Sequence, residues 1–142
     1  MILLVDDDLY ALGSYIRAIE GAGLEVTCRS GAEEGLAAFS EDAAQWECAI
    51  IDMMMPVPSG WDDDQGEELT TGLTVAKRIR SVRADLPIIF LTNIRDASVL
   101  QDVENFPGAK YLDKRELKAK DFVAKIHEMV RGSKSTEGSE TA

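Results

Sequence analysis

The chain has 142 residues, 45% of them hydrophobic, and a formal net charge of −11 from 15 Lys+Arg against 26 Asp+Glu. That length suits one domain with its own core, and no apolar run reaches the ~20 residues of a membrane helix. So acidic a domain repels phosphate backbones, which argues against direct nucleic-acid binding and for divalent cations or a basic partner surface.

The N-terminus, MILLVDDD, lacks the basic stretch and the long apolar run of a secretory signal, so the expected compartment is the cytoplasm. Its run Ile2–Val5 reads as a first strand. The stretch LYALGSYIRAIEGAG places Leu9, Leu12, Ile16 and Ile19 on one helical face and stops at Gly21–Gly23. Asp8 reads as the cap of that helix. A second strand is expected at Leu24–Cys28, then a capping box of Ser30 and Glu33 before GLAAF. Cys48–Ile51 is a third apolar run and Pro87–Leu91 a fourth, separated by LTVAKRIRSVR with Leu73, Ala76 and Ile79 at helical spacing. Asp96 reads as the cap of a helix in DASVLQDVENF. Ala109–Leu112 is the fifth run. LKAKDFVAKIHEMV then turns Leu117, Phe122, Ile126, Met129 and Val130 toward the core. The last stretch, 132–142, has no aliphatic residue to pack and reads as a disordered tail or linker after a domain of residues 1–131.

The five runs are near-continuous rather than alternating, which suits strands buried on both faces. Strand and helix alternate five times. The expected fold is α/β: a five-stranded parallel sheet, (βα)5, doubly wound and flavodoxin-like, with strand order 2-1-3-4-5. Cys28 and Cys48 form no CxxC pair and read as buried thiols. A single histidine, His127, supports neither a His-based metal cluster nor a catalytic triad.

In that order the carboxyl ends of all five strands share one edge. Asp6, Asp7 and Asp8 end the first, Asp52 the third, Thr92 and Asn93 the fourth, Asp113 and Lys114 the fifth. Strands 1 and 3 are neighbours, so Asp6, Asp7 and Asp52 crowd together. Crowded carboxylates are costly unless a cation neutralises them, and hard oxygen ligands suit Mg²⁺. With Lys114 as a second positive charge and the Thr92 hydroxyl as a donor, the set describes a carboxylate that accepts a phosphoryl group.

ILLVDDD, AIIDMMMP, GLTVAKRIR, PIIFLTN and GAKYLDK, in this order, resemble the response-regulator receiver domains of two-component signalling over roughly residues 1–131. The resemblance implies Asp52 as phosphoacceptor, and Asp6 and Asp7 as the acidic pair holding Mg²⁺, with the Met54 backbone carbonyl as a further ligand. It implies Thr92 as the switch hydroxyl, Lys114 as the lysine that pairs with the phosphoryl group, and Tyr111 as an aromatic switch. Implied partners are a histidine kinase or phosphotransferase and a downstream effector or output domain. The face of the fourth helix, fifth strand and fifth helix is implied as the partner surface and as a possible homodimer contact. No enzymatic turnover is implied beyond self-phosphorylation from small donors and autodephosphorylation. Met53 and Met55 read as packing.

Three features depart from that pattern. An acidic insertion at about 57–71 lies between the third strand and third helix. It reads as a tolerated surface loop or, using Trp61 as an anchor, as a lid or docking element; Gly66 breaks any calcium-loop spacing. Arg115 stands where the family usually has a proline after a cis peptide bond, so the loop is expected to be trans. Asn93 is larger than the usual small residue, which bears on access to the phosphoryl group. Two other classes stay open: a phosphorylation-independent interaction module, and an aspartyl-nucleophile phosphohydrolase. The latter wants a second acid at position 54, where this chain has Met54.

Overall fold

The computed structural model describes residues 1–61, 71–93 and 97–141, those beyond Arg131 by backbone alone. Five strands, β1 (Ile2–Val5), β2 (Val26–Arg29), β3 (Cys48–Asp52), β4 (Ile88–Thr92) and β5 (Ala109–Asp113), alternate with five helices. These are α1 (Gly13–Gly21), α2 (Ala32–Glu41), α3 (Thr71–Val82), α4 (Ala97–Glu104) and α5 (Ala119–Thr141). All pairings are parallel, and the order is β2-β1-β3-β4-β5, as expected.

Successive residues on a strand point to opposite faces, and here each face has its own core. Leu3, Val5, Ala49, Ile51, Ile88 and Phe90 pack with Phe39 of α2, Val75 and Ile79 of α3, and Val99 and Val103 of α4. Ile2, Leu4, Cys48, Ile50, Ile89 and Leu91 pack on the other side with Ile19 of α1 and Phe122 and Ile126 of α5. Each large side chain so buried stabilises the fold by roughly 1.5–3 kcal/mol. Only β1, β3 and β4 are buried along their whole length; the outer strands β2 and β5 are partly exposed, because each lacks a neighbour on one side. Cys48 is fully buried and burial pushes its thiol up to about 12, while Cys28 is only partly covered.

Several boundaries differ from the periodicity. The chain from Leu9 to Leu12 forms tight turns (Leu12 N–H to Leu9 O, Gly13 N–H to Tyr10 O), and α1 proper starts at Gly13. Asp8 therefore caps the leading turn, accepting from Ala11 N–H at 3.3 Å, and not the helix itself. α1 ends through Gly23, whose φ of 87° is a conformation glycine adopts without strain. The cap of α2 is Gly31 rather than Ser30. The Glu34 carboxylate folds back over Gly31, occupying the space a side chain would need, and the expected Ser30–Glu33 box does not form at this cap. The cap expected at Asp96 lies outside the described residues. The helical backbone of α5 continues to Thr141, through the stretch whose composition reads as a tail or linker.

Candidate functional site

The register of the sheet assembles the site. Val5 pairs with Ile51, so the next residue of each strand, Asp6 and Asp52, emerges at the same edge. Thr92 pairs with Asp113 across β4 and β5, and Lys114 N–H then donates to Thr92 O at 2.9 Å. The lysine stem is thereby aimed back over the sheet end. Lys114 Nζ stands 2.7 Å from Asp6 Oδ2 and 3.4 Å from Asp52 Oδ2.

Asp6 is fully buried and Asp52 nearly so, whereas Asp7 is exposed at the mouth. One carboxylate oxygen from each of the three lies within 4.8 Å of the others. Asp6 Oδ1 is fixed by the Asp8 N–H at 2.8 Å. Its other oxygen, Oδ2, is buried and faces the Lys114 ammonium at 2.7 Å, outside good hydrogen-bond geometry, so it has room for a further partner. Burial, then the Asp6 carboxylate, push Asp52 up to about 7. Lys114 and the Met54 N–H, which donates to Asp52 Oδ1 at 3.2 Å, act in the opposite direction. Burial opposes the charge on Lys114, but Asp6 and Asp52 outweigh it and raise its pKa. A buried carboxylate group with an unsaturated oxygen and an elevated proton affinity is what a hard divalent cation relieves. The residues present therefore fit Mg²⁺.

Behind the carboxylates the backbone is held by a glycine the sequence pattern did not single out as functional. Gly72 N–H donates to Met53 O at 3.0 Å as α3 begins. A Cβ on Gly72 would overlap the Asp52 carbonyl oxygen and sit 2.7 Å from Met53 Cα. The helix can approach Asp52 this closely only because residue 72 has no side chain. Met53 and Met55 are buried in the core, and Met54 points outward, 46% exposed.

Thr92 is buried at the end of β4. With Leu100, Tyr111, Asp113, Arg115 and Leu117 it lines a groove of about 750 Å³ between α4, β5 and the start of α5. Tyr111 is 38% exposed on that groove. All peptide bonds among the described residues are trans, including the one after Lys114. The Trp61 ring packs at the edge of the core with the Arg78 guanidinium 4.1 Å above its centroid, so the first residues of the insertion are anchored on α3. Residues 62–70 and Ile94 lie outside the described residues.

The response regulator receiver domain model matches residues 2–127. The chain belongs to this family. As a receiver domain it is similar to solved structures at probability 1.00. A CheY-like response regulator receiver domain protein from Methanospirillum hungatei JF-1 has a TM-score of 0.78 at 23% identity, with 95% of this chain and 96% of that one covered. A response regulator receiver domain protein from Clostridium thermocellum has a TM-score of 0.72 at 26% identity, with 95% and 97% covered. NtrX from Brucella abortus, crystallised with ATP, aligns at a TM-score of 0.78 and 19% identity; 98% of this receiver domain covers 28% of that longer chain. No curated protein sequence matches significantly. Among the described residues no helix is long and apolar enough to cross a membrane. The chain is thus a receiver domain of the two-component response-regulator kind.

Proposed function

We propose that this receiver domain is a phospho-accepting switch, with Asp52 as acceptor. The observation that carries the reading is the gathering of Asp6, Asp7 and Asp52 within 4.8 Å beneath the Lys114 ammonium. Asp6, Asp7, Asp52 and the Met54 carbonyl would hold Mg²⁺, which when bound neutralises charge on carboxylate and phosphoryl oxygens.

This chain's own residues supply the rest. An ionised Asp52 oxygen attacks phosphorus, an acyl phosphate forms, and the donor departs with the bonding pair: the imidazole of a phosphohistidine, or the carboxylate of acetyl phosphate. Lys114 offers a positive charge to the transferred oxygens from its place beside Asp52. The Thr92 hydroxyl, at the adjacent strand end, would donate to one of them. Thr92 and Tyr111 line one groove, so the phosphorylated state would be read on the face of α4, β5 and α5. A histidine kinase or phosphotransferase would donate the phosphoryl group, and a downstream effector or output domain, or a second copy of the chain, would bind that face. The expected setting is the cytoplasm.

Turnover as a phosphohydrolase is disfavoured by Met54, an outward apolar side chain where such enzymes need an acid. The completeness of the carboxylate–lysine set supports phosphorylation over a phosphorylation-independent role. Intact-mass spectrometry after incubation with acetyl phosphate and Mg²⁺ tests the reading. One labile phosphoryl adduct is expected, absent without Mg²⁺ and absent in Asp52→Asn; an equal adduct in that variant overturns the assignment.

A further inference from the structure

We infer that Arg115 and Asp113 together form a positioning device for Lys114, filling the role that the missing proline leaves open. The inference rests on the reading of Lys114 given above. The Asp113 carboxylate straddles the lysine. Its Oδ1 accepts the Arg115 backbone N–H at 2.9 Å and Arg115 Nε at 3.0 Å, and its Oδ2 accepts from the Arg115 Nη2 at 2.6 Å. The turn closes again where Glu116 N–H donates to Asp113 O at 3.2 Å. Lys114 is the single residue inside this clasp. Its own N–H donates to Thr92 O, and its ammonium reaches Asp6 and Asp52.

Bidentate guanidinium–carboxylate pairs fix orientation as well as distance, which a lone ion pair does not. A trans loop with a free arginine would leave the lysine held at its ammonium end alone, by Asp6 and Asp52. Here two atoms of the guanidinium and one backbone N–H all close on one carboxylate. Asp113 and Arg115 also line the groove that Thr92 and Tyr111 line, so the device borders the proposed partner face.

The molecule supplies a control. Arg83 grips Asp85, also two residues away, through Nε at 3.0 Å and Nη2 at 3.3 Å, at the turn between α3 and β4. That pair is equally a surface fork, but it precedes β4 and lies at the opposite end of the sheet from the carboxylates.

The test labels metal-free protein with acetic anhydride and follows each lysine by peptide mass mapping, with Lys110 and Lys118 as internal references. Wild-type Lys114, 17% exposed and ion-paired, is expected to react slowly. In Asp113→Ala and Arg115→Ala its labelling rises several-fold while the reference lysines are unchanged. Phosphoryl uptake from acetyl phosphate slows by about tenfold, as small misplacements of a charge-stabilising group do. The melting temperature shifts by no more than about 3 °C, because exposed ion pairs contribute little to stability. Asp85→Ala leaves Lys114 labelling at the wild-type rate. Equal protection of Lys114 in wild type, Asp113→Ala and Arg115→Ala overturns the inference. If Asp113→Ala does not fold, Arg115→Ala, which keeps the backbone hydrogen bond, decides alone. A wild-type protein that takes up no phosphoryl group overturns the functional reading instead, and the metal-free labelling still decides whether the clasp holds the lysine.

Discussion

Lys114 stands closer to Asp6, at 2.7 Å, than to Asp52, at 3.4 Å. The carboxylate proposed as acceptor is therefore not the one nearest the ammonium. Asp6 acts as a tether that parks the charge next to Asp52 without saturating it, and leaves Asp52 free to gain a substituent.

Removing that charge leaves two buried carboxylates facing each other. Lys114→Met is expected to destabilise the metal-free protein by about 2–4 kcal/mol, the cost of breaking a buried ion pair from one side. Mg²⁺ restores most of the loss. Urea unfolding with EDTA and with Mg²⁺ checks both halves; a variant equally unstable in both solutions contradicts the shared role of cation and lysine.

Asp52 gives the fold a definite pH dependence. Burial and Asp6 raise it from 3.8 to about 7, so the folded protein holds this proton to higher pH than the unfolded chain does. Stability from this group is full below about pH 4 and is lost as pH rises through about 7. Asp52→Asn removes the loss, and should stabilise metal-free protein by about 2–4 kcal/mol at pH 8, with a gap that narrows toward pH 5. Wild-type Mg²⁺ affinity should weaken as pH falls below about 7, because binding must displace the proton. Calorimetric titration in buffers of different ionisation heat measures that release; no proton release at pH 6 contradicts the prediction.

Gly72→Ala places a methyl group against the Asp52 carbonyl oxygen. The expected cost is about 2–4 kcal/mol, as for other overpacked sites against rigid backbone. Mg²⁺ affinity should fall as well, since the displaced segment carries Asp52 and the Met54 carbonyl. Gly35→Ala meets the Val5 side chain first, and no backbone atom as near; it should destabilise while leaving Mg²⁺ affinity intact. Equal Mg²⁺ affinity in both variants counts against a role for Gly72 in the site.

Trp61→Ala deletes a ring packed at the core edge and capped by Arg78. A loss of about 1–3 kcal/mol is expected, less than for a fully buried aromatic, because the ring is partly exposed. Arg78→Ala should give a smaller loss, and the double variant less than the sum. Strict additivity in denaturant unfolding would show that the two do not interact.

The fold was legible because five short apolar runs alternated with helical periodicity, and that pattern has few closures. The same logic brought Asp6, Asp7, Asp52, Thr92 and Lys114 to one edge, since parallel strands put their ends together. Helix starts were less legible. The cap of α2 is Gly31 and not Ser30, with Glu34 and not Glu33 folded back over it, a choice between adjacent residues that spacing does not settle. β5 was read as doubly buried from its composition, but an edge strand has only one neighbour, and Lys110 and Tyr111 face outward. Gly72 and the Asp113–Arg115 clasp were invisible for a different reason. Each depends on how two segments approach in space, and the signal, a glycine beside a strand end or an acid two residues before an arginine, is common elsewhere.

The strand order also dictates when the site can exist during folding. β1 sits between β2 and β3, so its acids meet Asp52 as soon as the first half of the chain collapses. Their neutralising lysine follows β5, the last strand to be synthesised and an edge of the sheet. In the folded sheet β5 therefore joins through charge as well as through its apolar residues, because the lysine that follows it meets the carboxylates of β1 and β3.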